Sequence, residues 1–405
     1  MKILQIVVEG NTGSTGTIAE AIGVLAMNQG WESYIAYGRY PRASKSNLIK
    51  IGNNIDLILH GIKTRLFDRH GYASKKATKA LILKIDSIKP DIIHLHHLHG
   101  YYINIKLLFD YLLRSNVPIV WTFHDCWSFT GHCAYFDYIG CEKWKTECNR
   151  CPQKKEYPAS FLFDRSRENY YNKKDLFNSV PNLTIVTVSN WLEELVKCSF
   201  LKRNKIITIH NGIDINVFKQ KNNKEETKAL YNVQKKFLIL GVASPWCKRK
   251  GLSEIIEMSK YLKSDEVIIL VGLNKRQIER LPNNIVGLLK TENKQELVDL
   301  YSAADVFINP TLEDNFPTTN IEALACGTPV ITYNTGGSPE AISSQTGIVV
   351  EKSSIKGLLN AIEKIKISDA KQLENSCRER AIEKYSKDKQ FLKYFELYLN
   401  LLNKK

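Results

Sequence analysis

At 405 residues, 43% hydrophobic and 24% charged, the chain has the balance of a soluble folded protein and is too long for one ordinary core, so two domains are expected. No run of about 18 apolar residues is present to cross a bilayer. The net charge of +15 is concentrated in residues 201–250, which hold 12 Lys/Arg and 3 Asp/Glu; without interleaved aromatics or a legible nucleic-acid module, nucleic acid is disfavoured, and ligand phosphates, an anionic membrane face and a merely solvated surface, the commonest meaning of scattered Lys, stay open.

In chain order the pattern is strand, loop, helix, repeated. The opening MKILQIVVEGNTGSTG has one Lys and a short apolar stretch, Ile3–Val8, that runs into a glycine-rich loop. This reads as a first buried strand of a cytoplasmic protein, because a signal peptide needs a longer apolar core and a small-residue cleavage site. A loop over Gly10–Gly16, a helix over Ile18–Gln29 and a strand over Glu32–Ala36 follow. DIIHLH (91–96) and PIVWTF (118–123) are further strands, with a helix over Lys106–Arg114 between them, and TIVTV (184–188) and IITI (206–209) continue the series. Gln220–Thr227 is polar and aperiodic, a linker.

The sequence then starts over. FLILGV (237–242), EVIILV (266–271), Ile285–Gly287, VFI (306–308), VIT (330–332) and GIVV (347–350) are short apolar runs spaced by helical segments. Two successive βα arrays imply an α/β protein of two Rossmann-like, doubly wound domains facing a cleft: residues 1–215 and 216–386. The amphipathic helix 387–405, with Phe391, Tyr394, Phe395, Tyr398 and Leu402 near helical spacing, is expected to return to the first domain.

Parallel sheets bind ligands beyond the carboxyl ends of their strands, so the residues that follow each strand carry the functional reading. Asp305–Thr332 is the most specific stretch. A polar loop over Asn309–Phe316 leads into a short helix bearing Glu322, and Gly327-Thr328-Pro329 ends it before the next strand. Amides at that helix start suit a diphosphate, and a carboxylate one turn inside suits a ribose diol. Asp314 and Glu322 are eight apart, and Glu313 competes with Asp314.

This stretch resembles the signature of the large retaining GT-B family that includes sucrose and glycogen synthases, glycosyltransferase family 4. There, two acids separated by seven residues flank a loop, an Ala-rich helix and a Gly-x-Pro-Val strand; Asp314 stands where Glu is usual. The resemblance runs over nearly the whole chain. It implies that Gly13 and Gly16 in EGNTGSTGT face the donor phosphates and acceptor, that His124 hydrogen-bonds the transferring sugar, and that Ser189 and Asn211 lie on lining loops. It implies that Lys250 holds the departing diphosphate. Pro245 stands where a partner Arg is expected, leaving Arg249 or Lys248 to substitute, and Gly337 in GGSPE lies near base or phosphates.

The implied activity is transfer of a sugar from a nucleotide-diphosphate donor to a hydroxyl of a lipid-linked glycan, with retention and without a catalytic metal. His124 and Asp314 are the catalytic pair in this reading; Gly13, Gly16, Lys250, Arg249, Glu322, Asn211 and Gly337 hold the donor. A nucleotide-sugar epimerase and a non-catalytic scaffold of a glycan-assembly complex are the alternatives.

Two clusters lie outside the signature. HLHHLHG (94–100) looks metal-like, but on an extended strand His94 and His96 share a face while His97 points away, so core or cleft histidines are expected. Nine cysteines include five within Cys126–Cys151; in a cytoplasmic chain they are reduced thiols or metal ligands. Cys148-x-x-Cys151-Pro with Cys133 and Cys141 upstream is compatible with a four-thiolate structural zinc or with free thiols, in a segment, Gly131–Ser160, that has little core of its own. Similar insertions after His-Asp occur in bacterial enzymes that build capsule, O-antigen or exopolysaccharide, the subgroup this chain most resembles.

Overall fold

The structure, a computed structural model, describes residues 1–403. The chain divides into two compact units, Met1–His210 with the segment from Phe391 onwards, and Asn211–Gln390. The changeovers fall five residues before and four residues after the ones expected from sequence, because pairing of 211–217 with 385–387 extends the second unit at both ends. There Ile213 bridges Ser386, and Lys387 N donates to Ile213 O at 2.8 Å.

The first unit has seven parallel strands: β1 (Lys2–Glu9), β2 (Glu32–Arg39), β3 (Asn47–Lys50), β4 (Ile92–Leu95), β5 (Ile119–Phe123), β6 (Leu183–Thr187) and β7 (Lys205–Thr208). Their order is β3-β2-β1-β4-β5-β6-β7. Its helices are α1 (Gly13–Asn28), α2 (Asn54–Phe67), α3 (Lys75–Ile88), α4 (Ile105–Arg114), α5 (Ser166–Asn178) and α6 (Asn190–Cys198). The second unit holds α7 (Lys224–Leu230), β8 (Phe237–Val242), α8 (Leu252–Ser259), β9 (Glu266–Val271), α9 (Lys275–Ile278), β10 (Ile285–Leu288) and α10 (Lys294–Ala303). It continues with β11 (Val306–Asn309), α11 (Thr318–Ala325), β12 (Val330–Tyr333), β13 (Gly347–Val350), α12 (Ile355–Lys366) and α13 (Ala370–Tyr385). Its strand order is β10-β9-β8-β11-β12-β13, all parallel.

Every residue of β4, β5, β6, β9, β11 and β12 is buried, which is why these strands read as largely apolar runs. Two expectations needed adjustment. The helix after β1 begins at Gly13, five residues before Ile18, because glycines let the chain turn directly off the strand: Gly13 has φ +63°, and a Cβ on Gly16 would lie 2.5 Å from Glu9 O. The linker is also shorter than Gln220–Thr227. Residues from Lys224 form α7, held by Lys228, whose buried ammonium bonds Asp305 at 2.8 Å.

The C-terminal helix α14 (Lys387–Leu402) completes the core of the first unit. Its Phe391, Tyr394, Phe395, Leu397 and Tyr398 pack with Ile3, Ile22, Trp31, Ile92, Val120 and Val186, and Trp31 stands 5.1 Å from Phe395 between ring centroids. Burial of each such side chain contributes about 1.5–3 kcal/mol. Polar atoms in the same seam are paired. Tyr398 Oη donates to His94 Nδ1 at 2.6 Å, His94 Nε2 donates to Thr122 Oγ1 at 2.8 Å, and Thr122 donates to Tyr394 Oη at 3.3 Å.

Candidate active site

In each unit the strand order reverses once, between β1 and β4 and between β8 and β11. At such a switch point the loops leaving neighbouring strands part in opposite directions and open a crevice at the carboxyl edge of the sheet. The sequence-derived candidates divide between these two edges.

In the second unit the loop after β8 (243–251) is stitched to the loop after β11 (310–317). Leu312 N donates to Arg249 O at 2.8 Å, Thr311 Oγ1 lies 3.2 Å from Arg249 O, and Arg249 Nη1 donates to Glu313 O at 2.7 Å. Gly251 permits the approach: its φ is +78°, and a Cβ there would lie 2.0 Å from Pro310 O. The stitching brings the Lys250 ammonium onto the Asp314 carboxylate as an ion pair, 22% and 15% exposed on the two side chains. Burial pushes the Asp314 carboxyl up, but Lys250 and Arg249 outweigh it and hold it below its ordinary value.

Of the two adjacent acids, Glu313 is fully buried, and its carbonyl is bonded by Arg249 and Thr311; Asp314 faces the cation. Lys248 is exposed, whereas Arg249 reaches the loop that carries Asp314. Glu322, half-buried on α11, accepts from Tyr301 Oη at 3.1 Å. Burial raises its carboxyl, opposed by the bonds from Tyr301 and Thr318.

Asp305, by contrast, stands at the amino end of β11, where Lys224, Lys228 and the Leu238 amide satisfy its carboxylate, so it takes no part in this edge. The Gly337 amide is committed to Asp314 O at 2.9 Å, and a Cβ on Gly336 would lie 2.0 Å from that same oxygen. These glycines fix the loop bearing Asp314. Asn211 belongs to the second unit, not to the first as expected, and its Nδ2 lies 3.4 Å from Phe316 O. Sequence reasoning gave Ser338 and Tyr301 no role. Ser338 Oγ is buried without a hydrogen-bond partner among the described residues, and the Asn309–Asn320–Ser338 O chain, at 2.8 and 3.2 Å, anchors its backbone. The Gly-Gly-Ser triplet was the available signal for Ser338; nothing local marks Tyr301.

The edge of the first unit is a layer of imidazoles. Gln5 Nε2 donates to Ala19 O at 2.6 Å, so its Oε1 must be the acceptor for His96 Nε2 at 3.1 Å. His96 Nδ1 is then a lone pair, and the 3.2 Å contact from His124 Nε2 is a donated hydrogen bond. That fixes the tautomer of His124 and leaves its Nδ1 as an acceptor with no partner among the described residues. His124 is half-buried at the end of β5, and burial together with His97 and His96 holds its pKa well below the usual imidazole value.

Asp125, next in sequence, accepts from Trp127 N at 2.9 Å and from His99 Nε2 at 2.6 Å; His97 Nε2 is 3.2 Å away, too oblique for a hydrogen bond. Burial opposes the charge of Asp125, but His99 and His97 bring its pKa far below the ordinary value. Thr15, on the first turn of α1 between Gly13 and Gly16, lies 3.3 Å from His97 Nδ1, so the glycine loop and the histidine layer meet. The face rule foresaw the pairing of His94 with His96, whose centroids are 4.1 Å apart; it did not foresee that the next turn of chain brings His97 and His99 onto one carboxylate. A concavity of about 1030 Å³ in this unit opens at the amino ends of β5, β6 and β7 and contains none of these residues.

Two doubly wound sheets, each with a polar cluster at its switch point, are the arrangement of GT-B sugar transferases. Residues 16–217 match the family model described as Glycosyltransferase Family 4, and residues 220–384 match Glycosyl transferases group 1. The chain is a glycosyltransferase of the GT-B, family 4 type.

It is 26% identical to the putative colanic acid biosynthesis glycosyl transferase WcaC of Escherichia coli K12, over 99% of this chain and 100% of that protein. It is 28% identical to the capsular polysaccharide biosynthesis glycosyltransferase CapM of Staphylococcus aureus, over 45% of this chain and 51% of that one. Among solved structures, sucrose-phosphate synthase from Thermosynechococcus elongatus superposes with a TM-score of 0.75 at 17% identity over 100% of both chains. Anabaena Alr3699/HepE in complex with UDP superposes with a TM-score of 0.69 at 15% identity, over 99% of this chain and 100% of that one.

Proposed function

We propose that the protein transfers a sugar from a nucleotide-diphosphate donor to a hydroxyl of a lipid-linked glycan, with retention, in the assembly of a surface polysaccharide. The observation that carries this reading is the Lys250–Asp314 pair, held by loops 64 residues apart at the switch point of the second sheet, with Glu322 on the helix that follows. In this role Lys250, with Arg249 beside it in place of the Arg expected at Pro245, meets the charge that grows on the departing diphosphate. Asp314 orients the sugar hydroxyls, Glu322 accepts from the ribose diol, and His124 Nδ1 accepts from a hydroxyl of the transferring sugar. The colanic acid and capsule relatives support the polysaccharide setting, as does a 28% identical relative over 49% of this chain, the N,N'-diacetylbacillosaminyl-diphospho-undecaprenol alpha-1,3-N-acetylgalactosaminyltransferase of Campylobacter jejuni. Retention is supported by the family resemblance, and no covalent nucleophile is assigned.

The test is calorimetry after a thermal-shift screen against UDP, GDP, ADP and CDP sugars, since a ligand that binds only the folded state raises the midpoint. Glu322→Ala is expected to remove binding of the selected donor with little change in unfolding temperature; unchanged nucleotide affinity would sink the assignment.

Among the described residues no helix is long and apolar enough to cross a membrane. A lipid-linked acceptor nevertheless calls for a membrane face, and the first unit has an apolar surface suited to one. Ile55, Ile58, Leu59 and Ile62 on α2 are exposed, and Phe161 and Phe163 adjoin them: Phe161 N donates to Arg65 O at 2.7 Å, and Phe163 stacks on Phe67 at 5.8 Å. Exposed Lys63 and Arg65 lie on the same helix, the charge sign that an anionic bilayer attracts. Co-sedimentation with anionic but not neutral vesicles, lost in Ile58→Asp/Ile62→Asp, is the expected result; equal sedimentation of the variant would remove this face from the reading.

A further inference from the structure

Residues 131–165, between the strand end bearing His124 and helix α5, form no strand and no α-helix, only two three-residue helical turns, Asp137–Ile139 and Lys143–Lys145. A stretch this long without backbone ladders needs another source of order. Phe129, Phe136 and Trp144 supply part of it, packing with centroids 4.9–6.1 Å apart. Against them lies a small cavity of about 10 Å³, and all four of Cys133, Cys141, Cys148 and Cys151 line it. None of the four is in a disulfide, and Cys133 and Cys148 are buried. Gly131 closes on this point so tightly that a Cβ there would lie 2.7 Å from Cys148 Cβ.

We propose that Cys133, Cys141, Cys148 and Cys151 bind one zinc ion that holds this segment in its fold. Four thiolates from a 19-residue stretch, around a space for a single atom, are the donor number and type of a closed structural site, with zinc–sulfur distances near 2.3 Å. Zinc with four thiolates carries two net negative charges, and a cation is in place to meet them. Lys173 on α5 is 1% exposed, bonds the carbonyls of Trp127 and Thr130 at 2.8 and 3.1 Å, stands 3.4 Å from the Trp127 ring centroid, and forms no ion pair with a carboxylate among the described residues. Binding would draw the sulfurs inward, because among the described residues only His97, His99 and Asp125 have their ligand atoms all within 4.8 Å of one another. That second group is the weaker candidate, since both carboxylate oxygens of Asp125 already accept hydrogen bonds and His99 Nδ1 pairs with Tyr157 at 2.8 Å.

The experiment is elemental analysis of the full chain, grown with zinc and purified under reducing conditions without chelator. One zinc per chain is expected, retained in His97→Ala and lost in Cys148→Ser/Cys151→Ser. A metal-free wild-type protein, full occupancy in the double cysteine variant, or loss in His97→Ala would each overturn the proposal. If the cysteine variant fails to fold, the unaltered chain decides. Replacement by cobalt should give an intense thiolate-to-cobalt charge-transfer band and tetrahedral d–d bands, and a spectrum without thiolate charge transfer would refute four-cysteine ligation.

Discussion

The two sheets share a topology but finish their carboxyl edges in opposite ways. The edge of the first unit is built from imidazoles kept neutral by burial and paired with one another, with Gln5 and with Asp125. That of the second is built from full charges, Lys250, Arg249 and Asp314, in which the two cations outweigh burial and hold the Asp314 carboxyl below its ordinary value. One architecture therefore supports either a hydrogen-bonding surface or an electrostatic one, and the loops after the strands decide which. On the proposed reading the division has a reason. A leaving diphosphate gains charge and needs a fixed cation, whereas a sugar ring presents hydroxyls and needs oriented acceptors.

The largest effect that would break or sharpen this contrast is at Lys250. Lys250→Ala should lower kcat/KM by about 10²–10³-fold, the scale for removing one preorganised group that stabilises transition-state charge. A loss under about tenfold would show that Arg249 alone carries the diphosphate.

The second effect is in acid. The folded-state pKa values of His94, His96, His99 and His124 lie below 6.5, with His94 at about 3, so the unfolded chain binds protons first. Stability should fall as pH drops below 6.5 and keep falling towards 3, by up to about 1.4 kcal/mol per pH unit for each such histidine. Asp314 behaves differently. Its depressed carboxyl contributes stability above the ordinary carboxylate range that is lost only as pH falls through its own lower value. Hydrogen exchange on the full chain between pH 7 and 5 should show β4, β5 and α14 losing protection while β8 and β11 hold; equal loss in both would dissolve the distinction.

The smallest effect is at His124. Removing one neutral hydrogen-bond acceptor costs about 0.5–1.5 kcal/mol, so His124→Ala should slow turnover about tenfold or less and leave nucleotide affinity unchanged. A drop in nucleotide affinity equal to that in turnover would place His124 on the donor phosphates instead.

Most strands from Ile3 to Val350 were legible because strands covered on both faces are largely apolar, whereas β3 (Asn47–Lys50), polar and exposed at both ends, was missed. The amphipathic C-terminal helix was legible too, its span matching Lys387–Leu402, since a sustained one-sided aromatic stripe has to be buried somewhere. The start of α1 was missed because glycine disfavours a helix that a close turn permits here, and the shortness of the linker because KEETKAL, though rich in helix formers, is polar and offers no apolar periodicity.

Sequence by itself determined which side chains stand at the carboxyl edges, because a residue placed directly after a buried parallel strand has nowhere else to go. It placed His124 at such an edge on that ground, whereas Lys250, Asp314 and Glu322 were named from the family resemblance. Only the tertiary structure decided what each one meets. It separated Asp314 from the buried Glu313, moved Asn211 to the second unit, withdrew Asp305 from the site, tied up the Gly337 amide, and set His97 and His99 on Asp125. Those outcomes depend on segments apart in sequence closing on one another, as His99 closes on Asp125 across 26 residues and Lys250 on Asp314 across 64. Local pattern carries no information about a contact that backbone approach at glycines such as Gly251 and Gly336 makes possible.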